Sequence, residues 1–514
     1  MITLKAVRVL QLGKTDFSRT VGISERVEWC YEPDLSRMPG RDFDAAILDR
    51  EVTETEFDFL IRFLRAYTLF VTEAVPLEEG GPTRRLMERK RGERISAEAL
   101  PVLLREDLPD YFPEPYGEKF TLDNLSVARG FRGEVFWMGF EGVELRGAFG
   151  DVMAQAVFWR HNIPIMAYQT IEFWLEYGKD GPVDLLLELT AVRFGYGVLP
   201  EKEEVWTFTE KDLEEVVRVE NRSGDKIFLF ASVRARGSGR LRITALHDRY
   251  SRRGKGHFIP GGKRWVTSDR EEIFYYFDPG NLKPPLNVYF SGYRRKEGFE
   301  GYGMMREMGH PFLLITDARL EGGGAYMGTE EYEDAIETIL RRHMKELGFE
   351  SGQVILSGIS MGSFGALYYG CRIRPHTILV GKPLASFGDI AENERINRPG
   401  GFPTSLDLLH KHCKSLSRDA AGRLNGRFWD AFDKTQWDGT QFAAAYMIED
   451  DYDKTAYGQL LAHLRGTGVK IFGKGLHGRH NDDTDGIVSW FLGQYYRILR
   501  DDFGDAETGT GGQG

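Results

Sequence analysis

Three regimes of hydrophobic patterning follow one another along the chain. In residues 1 to about 75, short apolar runs at Val7–Leu12, Val27–Tyr31, Ala45–Leu48 and Thr68–Thr72 have the length and β-branched character of strands. Between the last two, Phe57, Leu60, Ile61 and Leu64 repeat at helical spacing. Alternation of this kind predicts a small Rossmann-like α/β domain with a parallel sheet. It lacks a glycine-rich phosphate fingerprint, since Gly13 stands alone after the first strand, so scaffolding or docking is the expected role. Residues 76–118, rich in proline, glycine and charge, read as a connector with some helix, and the unit as a whole as 1–118.

From 119 to about 282 the runs shorten and alternate apolar with polar. Thr170–Tyr177, Asp184–Thr190, Lys226–Arg234, Arg240–His247 and Glu272–Phe277 are examples. Turn signals between them predict an antiparallel β-sandwich. Its aromatic residues, among them Phe158, Trp159, Phe173, Trp174, Tyr177, Trp206, Trp265, Tyr275 and Tyr276, suit a sugar-stacking face. Core packing accounts for them more simply, because aromatic rings supply most buried area.

After Asn281-Leu282-Lys283-Pro284-Pro285 the period changes again. Runs at Asn287–Phe290, Phe312–Thr316, Gln353–Ser357, Thr377–Val380, Phe442–Ile448 and Lys470–Phe472 alternate with helical stretches. One of these, Glu330–Leu347, starts acidic, carries Ile336, Ile339, Leu340 and Met344 on one face, and stops at Gly348. Residues 283–503 are therefore expected to form a parallel sheet with helices on both faces, an α/β-hydrolase-like unit. The end, GDAETGTGGQG (504–514), has no core-forming content and reads as a flexible tail. The fold class expected for the chain is α/β, with a sandwich in the middle.

Composition narrows the function. The 514 residues are 41% apolar and 28% charged, as in ordinary globular proteins, and too many for one core. A net charge of −11 opposes general nucleic-acid binding, which needs a basic face. The one dense basic stretch, Arg84, Arg85, Arg89, Lys90, Arg91 and Arg94, is interleaved with Glu88 and Glu93 and reads as solvated surface. The start MITLKAVRVLQL lacks a signal-peptide core, and no apolar run approaches the roughly 18 residues of a membrane span. Cys30, Cys371 and Cys413, odd in number and far apart, suggest neither disulfides nor a metal cluster. A cytoplasmic protein without a metal is expected.

The candidate chemistry lies in Gly358-Ile359-Ser360-Met361-Gly362, a G-x-S-x-G string between a β-run and a small-residue helix start. A serine at such a strand-to-helix turn is exposed for attack, and glycines permit the close packing around it. The expected chain order is serine, acid, histidine. The strand Val469–Leu476 leads into His477-Gly478-Arg479-His480, and both histidines are candidates; His410, His412 and His463 fall on helical stretches, and His247 and His257 in the sandwich. The strand ending at Ile448 leads into Glu449, Asp450, Asp451 and Asp453, among which the acid is sought. Some of these carboxylates could instead cap the following helix. Oxyanion donors are expected from the backbone of Met361 and of the Ser291-Gly292-Tyr293 loop, with Gly292 and Tyr293 the candidates there.

Four segments carry a family resemblance: SGYRRKEGFEGYGMMR (291–306), GISMGSFGALYYG (358–370), YMIEDDYD (446–453) and HGRHND (477–482). In these, and in the order of its domains, the chain resembles the second accessory secretory protein of the accessory Sec system, which exports serine-rich-repeat glycoprotein adhesins. The resemblance implies O-acetylation of N-acetylglucosamine on the adhesin glycan, coupled to adhesin delivery. It maps the triad onto Ser360, Asp450 and His480, with Glu449 and Asp451 one register away as alternative acids. It implies an acetyl donor, with acetyl-CoA a candidate, and no bound cofactor. The implied partners are the adhesin with its glycans, the first and third accessory secretory proteins and the motor ATPase. Peripheral contact with the inner membrane face, through the translocase, is compatible with it. Hydrolysis instead of transfer, and a non-catalytic export chaperone, are the competing readings of the same fold.

Overall fold

The computed structural model describes residues 6–35, 43–193 and 201–504, so the expected tail lies outside the described residues except for Gly504. Among the described residues, three sheets with helices make a mixed α/β protein. The first sheet is all parallel, in the order Val27–Tyr31, Val7–Gly13, Ala45–Asp49, Leu69–Thr72, Glu93–Ile95. Neighbouring residues face opposite ways: Val9, Ile47 and Phe70 enter one core, Leu10, Leu48 and Val71 the other. Helix Glu54–Phe63 begins at a capping box in which Thr53 and Glu56 exchange bonds. The stretch read as a connector supplies the fifth strand and helix Pro82–Lys90.

The basic stretch is not simply solvated, as expected from its interleaved charges. Arg89 donates to the Gly280 carbonyl at 2.9 Å, Lys90 to Ile61 at 2.7 Å, and Arg91 pairs with Glu346. Burial lowers the Lys90 ammonium to about 8. Arg89 and Arg91 dock the first sheet on the third; Lys90, Arg84, Arg85 and Arg94 bond within the first unit, to Ile61 O, Glu88, Glu54 and the Glu73 and Val75 carbonyls.

The middle of the chain departs from the expected two-layer sandwich of short strands. It is one hydrogen-bonded antiparallel sheet of ten strands, organised by Val143–Trp159 and the 24-residue Ile227–Tyr250. Glycines read as turn signals instead let these long strands bend. Gly237, at φ 95°, sits at a register shift where an added Cβ would lie 2.0 Å from the Pro182 carbonyl oxygen. Trp159, Phe173 and Trp174 are buried, as the packing reading requires.

The third sheet runs Lys263–Val266, Glu272–Asp278, Phe312–Asp317, Leu286–Phe290, Val354–Ile359, Thr377–Gly381, Gln441–Met447, Lys470–Leu476. The first two strands are antiparallel and the rest parallel. Glu272–Phe277 therefore belongs here and not in the sandwich. Its unbroken apolar run is the signature of a strand covered on both faces, and every residue from Glu272 to Asp278 is buried. Val288, Leu313, Leu356, Val380 and Ala444 face helices Glu330–Leu347 and Met361–Ile373; Tyr289, Leu314, Ile355, Leu379 and Ala443 face helix Thr484–Phe503. Among the described residues no helix is long and apolar enough to cross a membrane.

A buried charge cluster joins the second and third sheets. Arg249 forks Glu272 (2.5 Å) and Glu297 (2.6 Å), and His247 lies between Glu297 (2.7 Å) and Glu176 (3.0 Å). Glu176, His247 and Glu272 converge like metal ligands, but Arg249 and Arg264 already neutralise Glu272. Burial opposes the His247 charge, yet Glu297 and Glu176 raise it from 6.5 to about 9. A raised histidine contributes stability that is present in full below 6.5 and lost as pH rises through about 9. Denaturant unfolding should therefore show stability falling over that window by up to about 3 kcal/mol. His247→Gln should lose that part of the pH dependence; an unchanged profile would refute the assignment.

Candidate active site

The strand Val354–Ile359 ends at the sheet's carboxyl edge, and helix Met361–Ile373 starts immediately after Ser360. Ser360 is the joint, at φ 56° and ψ −124°, a conformation that costs an L-residue about 1–3 kcal/mol. It is held there by its N–H donating to Gly381 O (2.9 Å), and its carbonyl accepts from Ser363 N (2.9 Å) and Oγ (2.5 Å). The flanking glycines are required by space. A Cβ on Gly362 would stand 2.0 Å from Phe290 O, and one on Gly358 2.3 Å from the Gly362 backbone.

His480 and Asp450 complete a chain from the neighbouring loops. Ser360 Oγ lies 2.9 Å from His480 Nε2, and His480 Nδ1 lies 2.8 Å from Asp450 Oδ2. His480 and Asp450 are both buried. Burial pushes the Asp450 carboxyl up, but His480 and the Tyr452 and Asp453 N–H groups outweigh it, leaving it below the ordinary aspartate value. Asp450 is thus ionised at neutral pH, beside the imidazole it orients.

The crowd of carboxylates separates by geometry. Glu449 is exposed and accepts from Gly478 N at 2.6 Å and His477 Nδ1 at 3.2 Å, so Glu449 and His477 pair with each other away from Ser360. Asp451 accepts the His480 backbone N–H at 3.1 Å through Oδ1, while Arg398 lies 3.2 Å from its Oδ2. Asp453 is buried and accepts from Ala385 N and Ser386 N. None of them caps the following helix through its side chain, as the sequence left open; Thr455 occupies that cap position.

The loop after Leu286–Phe290 crosses the start of the Ser360 helix. An added Gly362 Cβ would meet Phe290 and Ser291 backbone, and one on Gly292 would meet Ile359 O at 3.1 Å. Gly292 does not serve as an open donor, because its N–H already donates to Glu300 Oε2 at 2.6 Å. That carboxylate was not anticipated from the sequence. Tyr293 and Met361 remain as the candidate backbone donors. The Asp317–Tyr326 loop supports both: Tyr326 OH donates to Ser291 O (2.6 Å), Arg294 N to Gly322 O (3.1 Å), and Gly323 packs on the Met361 side chain.

Arg398 and Tyr452 were also unforeseen. The Tyr452 ring stands edge-on to His480 with centroids 4.5 Å apart, and Arg398 stacks 4.1 Å above the Tyr452 ring. YMIEDDYD contained Tyr452, but nothing in the sequence ties Arg398, 82 positions from His480, to it. Lys382, buried at φ 48°, places its ammonium on Thr484 Oγ1 at 2.8 Å and within the field of Asp450.

The strain at Ser360 is measurable without chemistry. Ser360→Gly and Ser360→Ala both remove the hydroxyl, but only glycine tolerates the positive φ. Urea unfolding should find the glycine variant more stable than the alanine variant by about 1 kcal/mol. An alanine variant as stable as the glycine variant would show that the turn is unstrained.

Comparison with known proteins places this chain in a family. The family model described as the accessory Sec system GspB-transporter matches residues 7–505. An accessory Sec system protein of Streptococcus gordonii is 39% identical over 508 residues, covering 97% of this chain and 99% of that protein. One from Staphylococcus aureus (strain NCTC 8325 / PS 47) is 41% identical over 394 residues, covering 76% of this chain and 75% of the relative. Among solved structures, a chain of the Glycosylation Associate Protein (Gap123) complex from Streptococcus agalactiae superposes with a TM-score of 0.86 at 33% identity. That superposition covers 97% of this chain and 99% of the other. The chain belongs to the accessory Sec system GspB-transporter family.

Proposed function

We propose that this protein is a serine-dependent O-acetyltransferase of the α/β-hydrolase type, acting on N-acetylglucosamine of serine-rich-repeat adhesins within accessory Sec export. The observation that carries the chemistry is the unbroken chain Ser360 Oγ–His480–Asp450, with contacts of 2.9 and 2.8 Å. Family membership supports the export setting. The Gap123 relative, a complex, supports assembly with the first and third accessory secretory proteins, and the motor ATPase is proposed as a further partner. The proposed place of action is the cytoplasm, at the membrane's inner face when the translocase is engaged.

The proposed reaction has two steps. His480 Nε2 takes the Ser360 hydroxyl proton as Oγ attacks the acetyl carbonyl of the donor, for which acetyl-CoA is the candidate. The oxyanion is stabilised by the Met361 and Tyr293 N–H groups, and Asp450 by its charge stabilises the imidazolium. Collapse releases the donor thiol, which takes the proton from His480, and leaves acetyl-Ser360. A sugar hydroxyl then gives its proton to His480 and attacks the acetyl carbonyl. Ser360 departs as it regains that proton, and the acetyl ester stays on the glycan. With water as acceptor the same steps are hydrolysis.

Two outcomes follow. Ser360→Ala should fold and still export the adhesin, and mass spectrometry should find its glycans without O-acetyl groups; retained acetylation would refute the reading. Acetyl release with and without glycan separates transfer from hydrolysis. Asp450→Asn, which leaves the imidazole in the wrong tautomer, should slow Ser360 acylation by up to about 10⁴-fold. Glu449→Gln should leave it near wild type, and comparable losses in the two variants would overturn the choice of acid.

A further inference from the structure

A cleft of about 810 Å³ lies between the long antiparallel sheet and the third sheet, and its lining includes none of Ser360, Asp450 or His480. One wall is formed by Glu176–Lys179 and Arg240–Thr244, the other by the Ser268–Glu271 hairpin, Arg319, and the end of helix Thr404–Cys413. Acids and bases are mixed in it, so the useful quantity is the charge that remains after pairing. Glu144 is matched by Arg146, Glu176 by His247, and Glu271 by Lys411 and Arg319, while Glu141 has His410 as its partner. Lys179 is matched by Glu210, and Arg240 by Asp180.

Three cations are left. Among the described residues the half-buried Arg242 and the exposed Lys414 meet no carboxylate. Arg270 donates only to the carbonyls of Leu175 and Leu213, and is packed between the Trp174 and Tyr177 rings. Against these three, Glu141 and Asp269 are the lining acids that meet no Lys or Arg among the described residues. A net positive cleft in a chain of net charge −11 is a local departure from its surroundings.

His412 lines the same wall and brings no charge to it. Arg427 Nη1 donates to its Nδ1 at 2.9 Å, so that nitrogen is unprotonated and the neutral ring carries its hydrogen on Nε2. Burial, and Arg427 beside it, keep the ring neutral. The buried Nε2–H has no acceptor, which a folded protein tolerates at a cost. Unneutralised cations gathered at one cleft want acceptor oxygens with negative charge.

We propose that this cleft is a second binding site, for a small anion bearing phosphate or carboxylate oxygens, held principally by Arg242 and Lys414. The site is independent of the reading of Ser360. Isothermal titration calorimetry on the full chain tests it, with inorganic pyrophosphate in one arm and citrate in the other. At least one arm should show a single saturable site whose affinity falls as salt rises. Binding in the first arm alone assigns the site to phosphates, and in the second alone to carboxylates. The Arg242→Ala/Lys414→Ala variant should bind about tenfold or more weakly. Lys414→Glu, an exposed change that leaves the core untouched, should also weaken binding, which keeps the test open if the double variant is unstable. No heat with either probe, or equal affinity in the variants, would overturn the proposal.

Discussion

The site depends on one strained residue. Ser360 sits at φ 56° because a strand buried on both faces must turn at once into a helix packed against its own sheet. Glycine would occupy that conformation more easily, but glycine has no hydroxyl. The protein accepts the strain and compensates with surroundings that cannot give way: Phe290 O against Gly362, Gly381 O on the Ser360 N–H, and Ser363 on the Ser360 carbonyl. Once Ser360 is fixed, the reach of His480 and the position of the donor loop follow from neighbouring strands of the same sheet.

The histidine loop is gripped from several sides. Asp450 takes the imidazole, Asp451 takes the backbone N–H, and the Tyr452 ring closes the edge. Arg398 reaches in from the segment after helix Phe387–Ile396, binding Asp451 and covering Tyr452. Three consecutive residues thus do different work on one histidine. Adjacent carboxylates diverge because the chain turns just beyond the strand end at Met447, which aims successive side chains in different directions.

That divergence explains which parts of the site could be read from the chain. Ser360 was legible because its requirements are local: a strand, two glycines and a helix start within a few residues. The acid was legible only as a cluster, because choosing between Glu449 and Asp450 needs an orientation that a short loop does not encode in its composition. Arg398 and Glu300 were not legible at all. Arg398 acts through a contact made only when distant segments meet, and Glu300 through the way its own loop folds back on Gly292. Gly292 was expected as a donor for a sound reason, the close approach of its backbone, but that approach brought it to Glu300. The fold shows the same boundary between local and distant causes. Parallel strands in the first and third sheets were visible as apolar runs, whereas the pairing of Glu272–Asp278 with Phe312–Asp317 depends on what covers its faces. The length of Ile227–Tyr250 was hidden because glycines that bend a strand look like glycines that end one.

The most direct test of this account is whether Ser360 itself carries the acyl group. The full chain would be incubated with acetyl-CoA or an activated acetyl ester, without glycan, quenched in acid, and its peptides sequenced by mass spectrometry. The account predicts an acetyl group on Ser360 that disappears when glycan acceptor is added. An unmodified Ser360 alongside glycan that still becomes acetylated would contradict it.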